Sequence, residues 1–487
     1  LPQNADFCLK LQALSMENLL NSFIESFWQK FPFLLPEISI AIGLNLLLLL
    51  SLFEKKWQNK IWFASLLEGF YVLILLVALY WAYQIHQEPS FSAFRQMILF
   101  SALLVAIFFP KPVQIIQNKV LGEYYFLLLS ASLGLMLMLT SQEWLTLLIS
   151  LELSAVALYV LVVLSWQKNS LEGSLKYLLF GIMASAIMIY GISWLYGLQG
   201  GVLSFENILW KISNTKLAYV AFILVLSGFL LKISAFPWHI WTPDAYQIAP
   251  TSVTAFLATA PKIASVAMLY KISLAYEPLL PTLPQVFFVV AMASILVGNL
   301  VAFWQKNLKR MLAYSSVAGA GFLLIATNLH KSSDEKILLF FLLVYVLANF
   351  LLFALAEHYE TKHQITEIQQ FEGLGQKDTF LMIAMFVGFL TLAGLPPTAG
   401  FSAKILLFSL LWEKYQSSQE SILLAWLVVG LLATFLALFY YLKIPFLAFF
   451  RPSKNFQRQK NLRLYFWVSL LLVLILLLFF RPFLLFK

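Results

Sequence analysis

The chain has 487 residues, 61% hydrophobic and 11% charged, with a net charge of +9, a balance that excludes a water-soluble globular protein. Its basic residues are scattered through short loops rather than gathered in one patch, which points to a lipid bilayer and not to nucleic acid. The single cysteine, Cys8, excludes an internal disulfide, a C-x-x-C redox pair and a cysteine-ligated iron–sulfur cluster.

Apolar runs of about 20 residues recur from end to end, each able to cross roughly 30 Å of hydrocarbon as a helix. Strict apolar–polar alternation is absent, which disfavours a transmembrane β-barrel. Residues 1–32 read as an N-terminal segment, and Leu1–Ser15 lacks the apolar core of a signal peptide. Helices are then predicted near 33–53, 61–83 and 95–110, a peripheral group within 33–110. Five follow near 123–139, 143–164, 171–198, 217–246 and 251–275. Five more are expected near 284–303, 308–329, 335–357, 378–412 and 420–449, and a last one near 463–481 in a C-terminal segment 463–487. The expected fold class is an all-α polytopic membrane protein of about fourteen transmembrane helices.

Proline interrupts two of these segments. The seventh carries Pro237 and Pro243, and the twelfth carries Pro396 and Pro397 after Gly394. Proline removes a backbone donor and clashes with the preceding turn, so each segment should split into half-helices. In lipid, freed backbone groups are tolerated only inside protein or beside a water-filled cavity. Gly228-Phe229-Leu230 precedes Pro237 at the same spacing as Gly388-Phe389-Leu390 precedes Pro397. Paired breaks of this kind point to an internal repeat with its site at mid-membrane, 123–275 against 284–449. Lysine and arginine concentrate in loops after odd-numbered helices, among them Lys55, Lys56, Lys111, Lys306, Lys309, Arg310, Arg451 and Lys454. The positive-inside rule then places both termini outside the cytoplasm.

A charge at the bilayer centre costs about 2.5–3.5 kcal/mol on insertion scales and calls for a partner or a water path. Four charges lie at one depth. Glu152 is about 13 Å into its helix and Lys262 about 16 Å into its own. Lys232 comes just before the Pro237 break, and Lys404 about 10 Å beyond Pro397. One alone reads as a structural ion pair or a snorkelling lysine. Four together fit the loading and release of a proton, since burial disfavours a charged lysine and a nearby carboxylate restores it. His239, between Pro237 and Pro243, is a possible further relay, and Asp244 reads as a cap beside Pro243. Glu68, Lys271, Glu357, Glu413 and Lys443 lie nearer helix ends and read as interfacial. The histidines do not cluster at metal-ligand spacing, and no glycine-rich phosphate loop is present, so no metal and no cofactor is expected in this chain.

The run Phe236-Pro237-Trp238-His239-Ile240-Trp241-Thr242-Pro243-Asp244-Ala245-Tyr246, followed by Ala249-Pro250-Thr251 and Ala258-Thr259-Ala260-Pro261-Lys262, resembles the signature of the antiporter-like subunits of respiratory complex I. The run Leu175-Lys176-Tyr177-Leu178-Leu179-Phe180-Gly181, with Tyr190-Gly191-Ile192-Ser193, resembles the subunit N branch of bacterial NADH:quinone oxidoreductase. Leu151-Glu152-Leu153, Lys309 to Ser316 and Ala393 to Phe401 match as well, so the likeness covers roughly residues 30–480. It implies a fourteen-helix fold with two inverted five-helix repeats. It also implies a proton path through Glu152 paired with Lys232, then Lys262 as central relay and Lys404 as terminal lysine. The implied setting is a bacterial cytoplasmic membrane, with an adjacent antiporter-like subunit and small membrane subunits of the complex as partners and quinone chemistry elsewhere. Where the family often has a histidine after the Tyr-Ser-Ser motif, this chain reads Ala318-Gly319-Ala320-Gly321, so water is expected to carry the proton between Lys262 and Lys404. The alternatives are a subunit of a Mrp-type Na⁺/H⁺ antiporter or membrane-bound hydrogenase, and an inert scaffold.

Overall fold

The computed structural model describes residues 31–52, 61–85, 89–110, 120–164, 170–205, 215–277, 279–327, 334–452 and 461–484, so the expectations for 1–30 lie outside the described residues. A 3-10 turn, Phe31–Leu34, leads into α1 (Leu35–Ser51), followed by α2 (Ile61–Gln84) and α3 (Pro89–Phe108). Next come α4 (Leu121–Thr140), α5 (Trp144–Val163) and α6 (Ser170–Leu198). The seventh predicted segment is two helices, α7 (Thr215–Ile233) and α8 (Thr242–Ile248), leading to α9 (Thr251–Tyr276). Then follow α10 (Leu283–Phe303), α11 (Leu308–Ala326), α12 (Asp334–His363) and the single turn α13 (Leu374–Lys377). The twelfth segment is likewise split, into α14 (Thr379–Ala393) and α15 (Ala399–Ser418), before α16 (Ser421–Phe450) and α17 (Leu462–Phe480). Thirteen of these helices are long and apolar enough to cross a membrane, and the broken α14–α15 makes a further crossing.

Three boundaries lie six residues from the hydrophobic pattern: the twelfth segment runs on to Ser418 with its end exposed, and at the other two polar residues find partners inside the protein. The third helix starts at Pro89, and its first turns seat Ser92 against the Ala82 carbonyl at 2.6 Å and Arg95 against Glu37 at 3.2 Å. Arg95 is therefore a buried helix residue and not a loop charge. The eleventh helix runs on to His363, since Glu360 pairs with Lys309 at 2.7 Å and accepts from Thr251 at 2.8 Å. Removing one partner of a buried pair leaves an uncompensated charge at a cost of about 3–5 kcal/mol. Arg95→Leu is therefore expected to lower the thermal midpoint of the assembled protein clearly, and Arg95→Leu with Glu37→Leu to recover most of it; equal losses in both would contradict the pairing.

Residues α4–α9 and α10–α16 show matching local construction. Gly134 of α4 lies where a Cβ would meet the Ser154 backbone nitrogen at 2.6 Å, and Gly298 of α10 where one would meet that of Ala318 at 2.5 Å. Bridges Glu143–Ser204 and Asn307–Glu367 tie the entrance of the second helix of each set to the strand-like turn after the third. At the breaks, Ala235 N donates to Leu230 O at 2.8 Å and Leu395 N to Leu390 O at 3.0 Å, closing α7 and α14 alike around a left-handed residue, Ser234 or Gly394. Five crossings per set make corresponding helices run in opposite directions. The centre is filled by α9 and α12, whose membrane-crossing windows are wholly buried. In α9, rich in Ala, Ser and Thr, small side chains let neighbouring backbones approach closely.

Candidate functional site

The α7 break places Lys232 in the last turn of its half-helix, 3% exposed, with its ammonium 5.6 Å from the centre of the Tyr159 ring. The Lys232 Nζ makes no hydrogen bond. Glu152, on α5, is close enough for its charge to act on Lys232, yet its carboxylate accepts from Ser185 of α6 instead. Hydrogen-bonded contact between Glu152 and Lys232, the simplest form of the expected pair, is thus not made. Gly181 leaves room for the Tyr159 hydroxyl, which a Cβ there would strike. From Tyr159 the rings run inward: Tyr177 meets it edge-on at 4.6 Å and stacks on Trp241 at 4.0 Å. His239 lies between the half-helices against Phe236. Asp244, expected as a cap, is instead clamped between Lys176 at 2.9 Å and Arg310 at 2.6 Å, which fixes α8 to α6 and α11.

Lys262 is completely buried on α9. Its ammonium donates to the Ser316 carbonyl at 2.7 Å and to Ser316 Oγ at 2.6 Å. Ser316 Oγ in turn meets the Tyr345 hydroxyl at 2.9 Å and that of Tyr246, from α8, at 3.4 Å. Beyond Tyr345 lies a cavity of about 40 Å³ whose wall includes Asn299, Ser315, Gly319, Tyr440, Tyr441 and Lys404. That volume holds a few water molecules at roughly 10–15 Å³ of accessible space each. Ser315 and Tyr441 share a hydrogen bond at its edge, and Tyr440 donates to Asn299 at 3.0 Å.

On the far wall, Lys404 Nζ donates to the Ala393 carbonyl at 2.7 Å and to Thr434 Oγ1 at 3.3 Å, and sits 4.5 Å from the centre of the Phe322 ring. The Ala393 carbonyl is one of those freed where α14 ends, so the lysine satisfies the break it depends on. Gly394 adopts φ +80°, and a Cβ there would lie 2.4 Å from Lys404 Cδ.

The structure thus joins Lys262 to Ser316 and Tyr345, sets Lys404 across the same cavity, and leaves Lys232 and Glu152 without a direct hydrogen bond. Tyr345, Tyr440, Tyr441 and Asn299 were not singled out by their sequence, and Tyr246 entered it only as the last residue of the run from Phe236. Their signal is faint: Tyr345 and Asn299 are polar interruptions in otherwise apolar helices. Tyr345 stands where the missing histidine left room, because a Cβ on Gly319 would come 3.0 Å from its ring.

Two broken helices, each near a buried lysine, with the lysines arrayed across the middle of a helical bundle, define an antiporter-like membrane subunit. The family described as NADH:quinone oxidoreductase/Mrp antiporter, transmembrane, matches residues 141–445. The chain belongs to the antiporter-like subunit family of complex I. NADH-quinone oxidoreductase subunit N of Heliobacterium modesticaldum is 34% identical over 392 residues, which cover 77% of this chain and 82% of that protein. A chain of respiratory complex I from Thermus thermophilus with bound aureothin shares 29% identity at a TM-score of 0.72, covering 91% of this chain and 98% of its own. A chain of the Mrp complex from Dietzia sp. DQ12-45-1b is alike in fold, at a TM-score of 0.74 and 18% identity over 91% of this chain and 94% of that one.

Proposed function

We propose that this chain is a non-redox, proton-translocating membrane-arm subunit of NADH:quinone oxidoreductase in the bacterial cytoplasmic membrane, driven by quinone reduction elsewhere in the complex. Its neighbours would be an adjacent antiporter-like subunit and small membrane subunits, with both termini outside the cytoplasm. Its working units would be the five-helix repeats 123–275 and 284–449, bracketed by the peripheral helices of 33–110 and the segment 463–487. The observation that carries the reading is the polar line Lys262–Ser316–Tyr345–cavity–Lys404. Protons need such carriers, because hydrocarbon provides none. Buried polar atoms that make no hydrogen bond, Lys232 Nζ, Trp241 Nε1, Thr242 Oγ1 and Ser265 Oγ, would extend the line toward Glu152. Groups of this kind in a protein interior are normally satisfied by water. Glu152 and Lys232 would exchange the charge that opens and closes the first half of the path, and His239 would assist near the α7–α8 break.

Tyr345→Phe tests the line by removing one hydroxyl while keeping the ring and the cavity wall. The proton-to-electron ratio in sealed vesicles is expected to fall with the complex intact; a normal ratio would show that protons bypass Tyr345. Glu152→Gln keeps shape and loses charge, so pumping should decline more than assembly does. A variant that assembles poorly but pumps at full ratio would assign Glu152 to structure alone.

A further inference from the structure

Glu357 and His358, at the far end of α12, stand outside the line just described. They belong to a cavity of about 170 Å³ between the end of α3, the last turns of α12 and the start of α17, on the face that carries the lysine-rich loops. Its wall is apolar toward the membrane (Phe108, Leu464, Trp467) and polar where Glu357, His358 and Arg463 meet. His358 is 5% exposed, and its Nε2 has no hydrogen-bond partner. Arg463 is already engaged, with Glu68 at 3.7 Å and the Ala106 and Ile107 carbonyls at 3.3 and 3.4 Å, so it props the cavity open and does not neutralise Glu357.

Inward of Glu357, polar groups continue along the packed helices. Tyr124 of α4 and Ser252 at the head of α9, both buried, face each other there. On α12 itself, Asn349 and Tyr345 lie two and three helical steps of four residues further in, about 18 Å from Glu357 to Tyr345. Phe353, between Glu357 and Asn349, packs edge-on against Tyr246 at 6.2 Å and makes the one apolar step. Tyr345 is the residue that meets Ser316 and through it Lys262.

We propose that this cavity is a proton-loading vestibule, in which Glu357 and His358 take up protons from the lysine-rich face and deliver them along α12 to the Tyr345–Lys262 node. This rests on the proton-translocating reading above. The step is a plain proton transfer: water at the vestibule gives a proton to the Glu357 carboxylate or the His358 ring and is left as hydroxide. The groups that set the balance are His363, whose ring lies 5.9 Å from that of His358, Lys362 beside them on α12, Arg463 on α17 with Glu68 on α2 behind it, and the Lys309–Glu360 pair of α11 and α12. Asp378, ahead of α14, is a further charge near His358 and accepts from Tyr465 at 2.5 Å.

The test uses the whole complex in sealed vesicles, reading proton uptake per electron from pH 6 to 8.5 beside uncoupled quinone reductase activity. Glu357→Gln is expected to lower uptake several-fold, most at high pH where protons are scarce, with Glu357→Asp restoring it. An assembled Glu357→Gln complex with an unchanged ratio at every pH would overturn the proposal. If that variant does not assemble, Ala354→Leu decides, because it narrows the vestibule and leaves every polar group in place: reduced uptake supports the proposal, and a normal ratio overturns it. Lys262→Met run in parallel separates the two readings. A normal ratio in Lys262→Met removes the underlying function, whereas loss there with normal uptake in Glu357→Gln removes only the vestibule.

Discussion

Lys262→Met is expected to leave the complex assembled while removing this subunit's share of pumping. Methionine matches the length of the lysine stem and asks for no hydrogen bond, so the packing of α9 is kept. Ser316 Oγ retains Tyr345 at 2.9 Å and is not orphaned. What disappears is the ammonium that donates to Ser316, and with it the means of holding a proton at the centre of the bundle. A loss of tenfold or more in proton flux through this subunit corresponds to about 1.4 kcal/mol or more on the transfer barrier. The measurement is the proton-to-electron ratio in sealed vesicles against the amount of intact complex. A wild-type ratio in the intact mutant would remove Lys262 from the path.

Gly394→Ala should be nearly as damaging, and for a reason confined to the second broken helix. A non-glycine residue held in the left-handed region costs about 1–2 kcal/mol, and here the added methyl would also press on the Lys404 stem at 2.4 Å. The stem must move, and with it the hydrogen bonds to Ala393 and Thr434 that aim Lys404 at the cavity. At the matching position of the first break, Ser234 already carries a side chain at φ +63°, and Ser234→Gly should assemble and pump normally. The contrast is the control: full pumping by Gly394→Ala would mean that Lys404 does not need its present seat, and failure of both variants would point to backbone geometry alone.

Most of the helices, and both breaks, were legible in the sequence, because a bilayer imposes a length on every apolar run and punishes proline in a way few other environments do. The four mid-depth charges stood out for the same reason: Glu152, Lys232, Lys262 and Lys404 are costly where they are, so their positions carry information that an exposed lysine would not. Helix ends were less legible at α3 and α12, where Arg95 and Glu360 look like loop or interface residues until their partners, Glu37 and Lys309, are brought alongside. Glu357 was read as interfacial by its distance from the helix centre, and only the packing of α3 and α17 against α12 encloses it in a cavity.

What the sequence determined by itself is therefore the series of membrane-spanning segments, the paired breaks and the identity of the charges, all consequences of transferring single segments into hydrocarbon. What the tertiary structure decided is which groups those charges meet. Glu152 turns to Ser185 rather than making direct contact with Lys232, and Lys262 binds Ser316, 54 residues away along the chain. The space beside Gly319, which the sequence presents as a missing relay, is occupied by the ring of Tyr345 from another helix. Such pairings depend on the rotation and depth at which separate helices pack, and hydropathy, being a property of one segment at a time, contains neither.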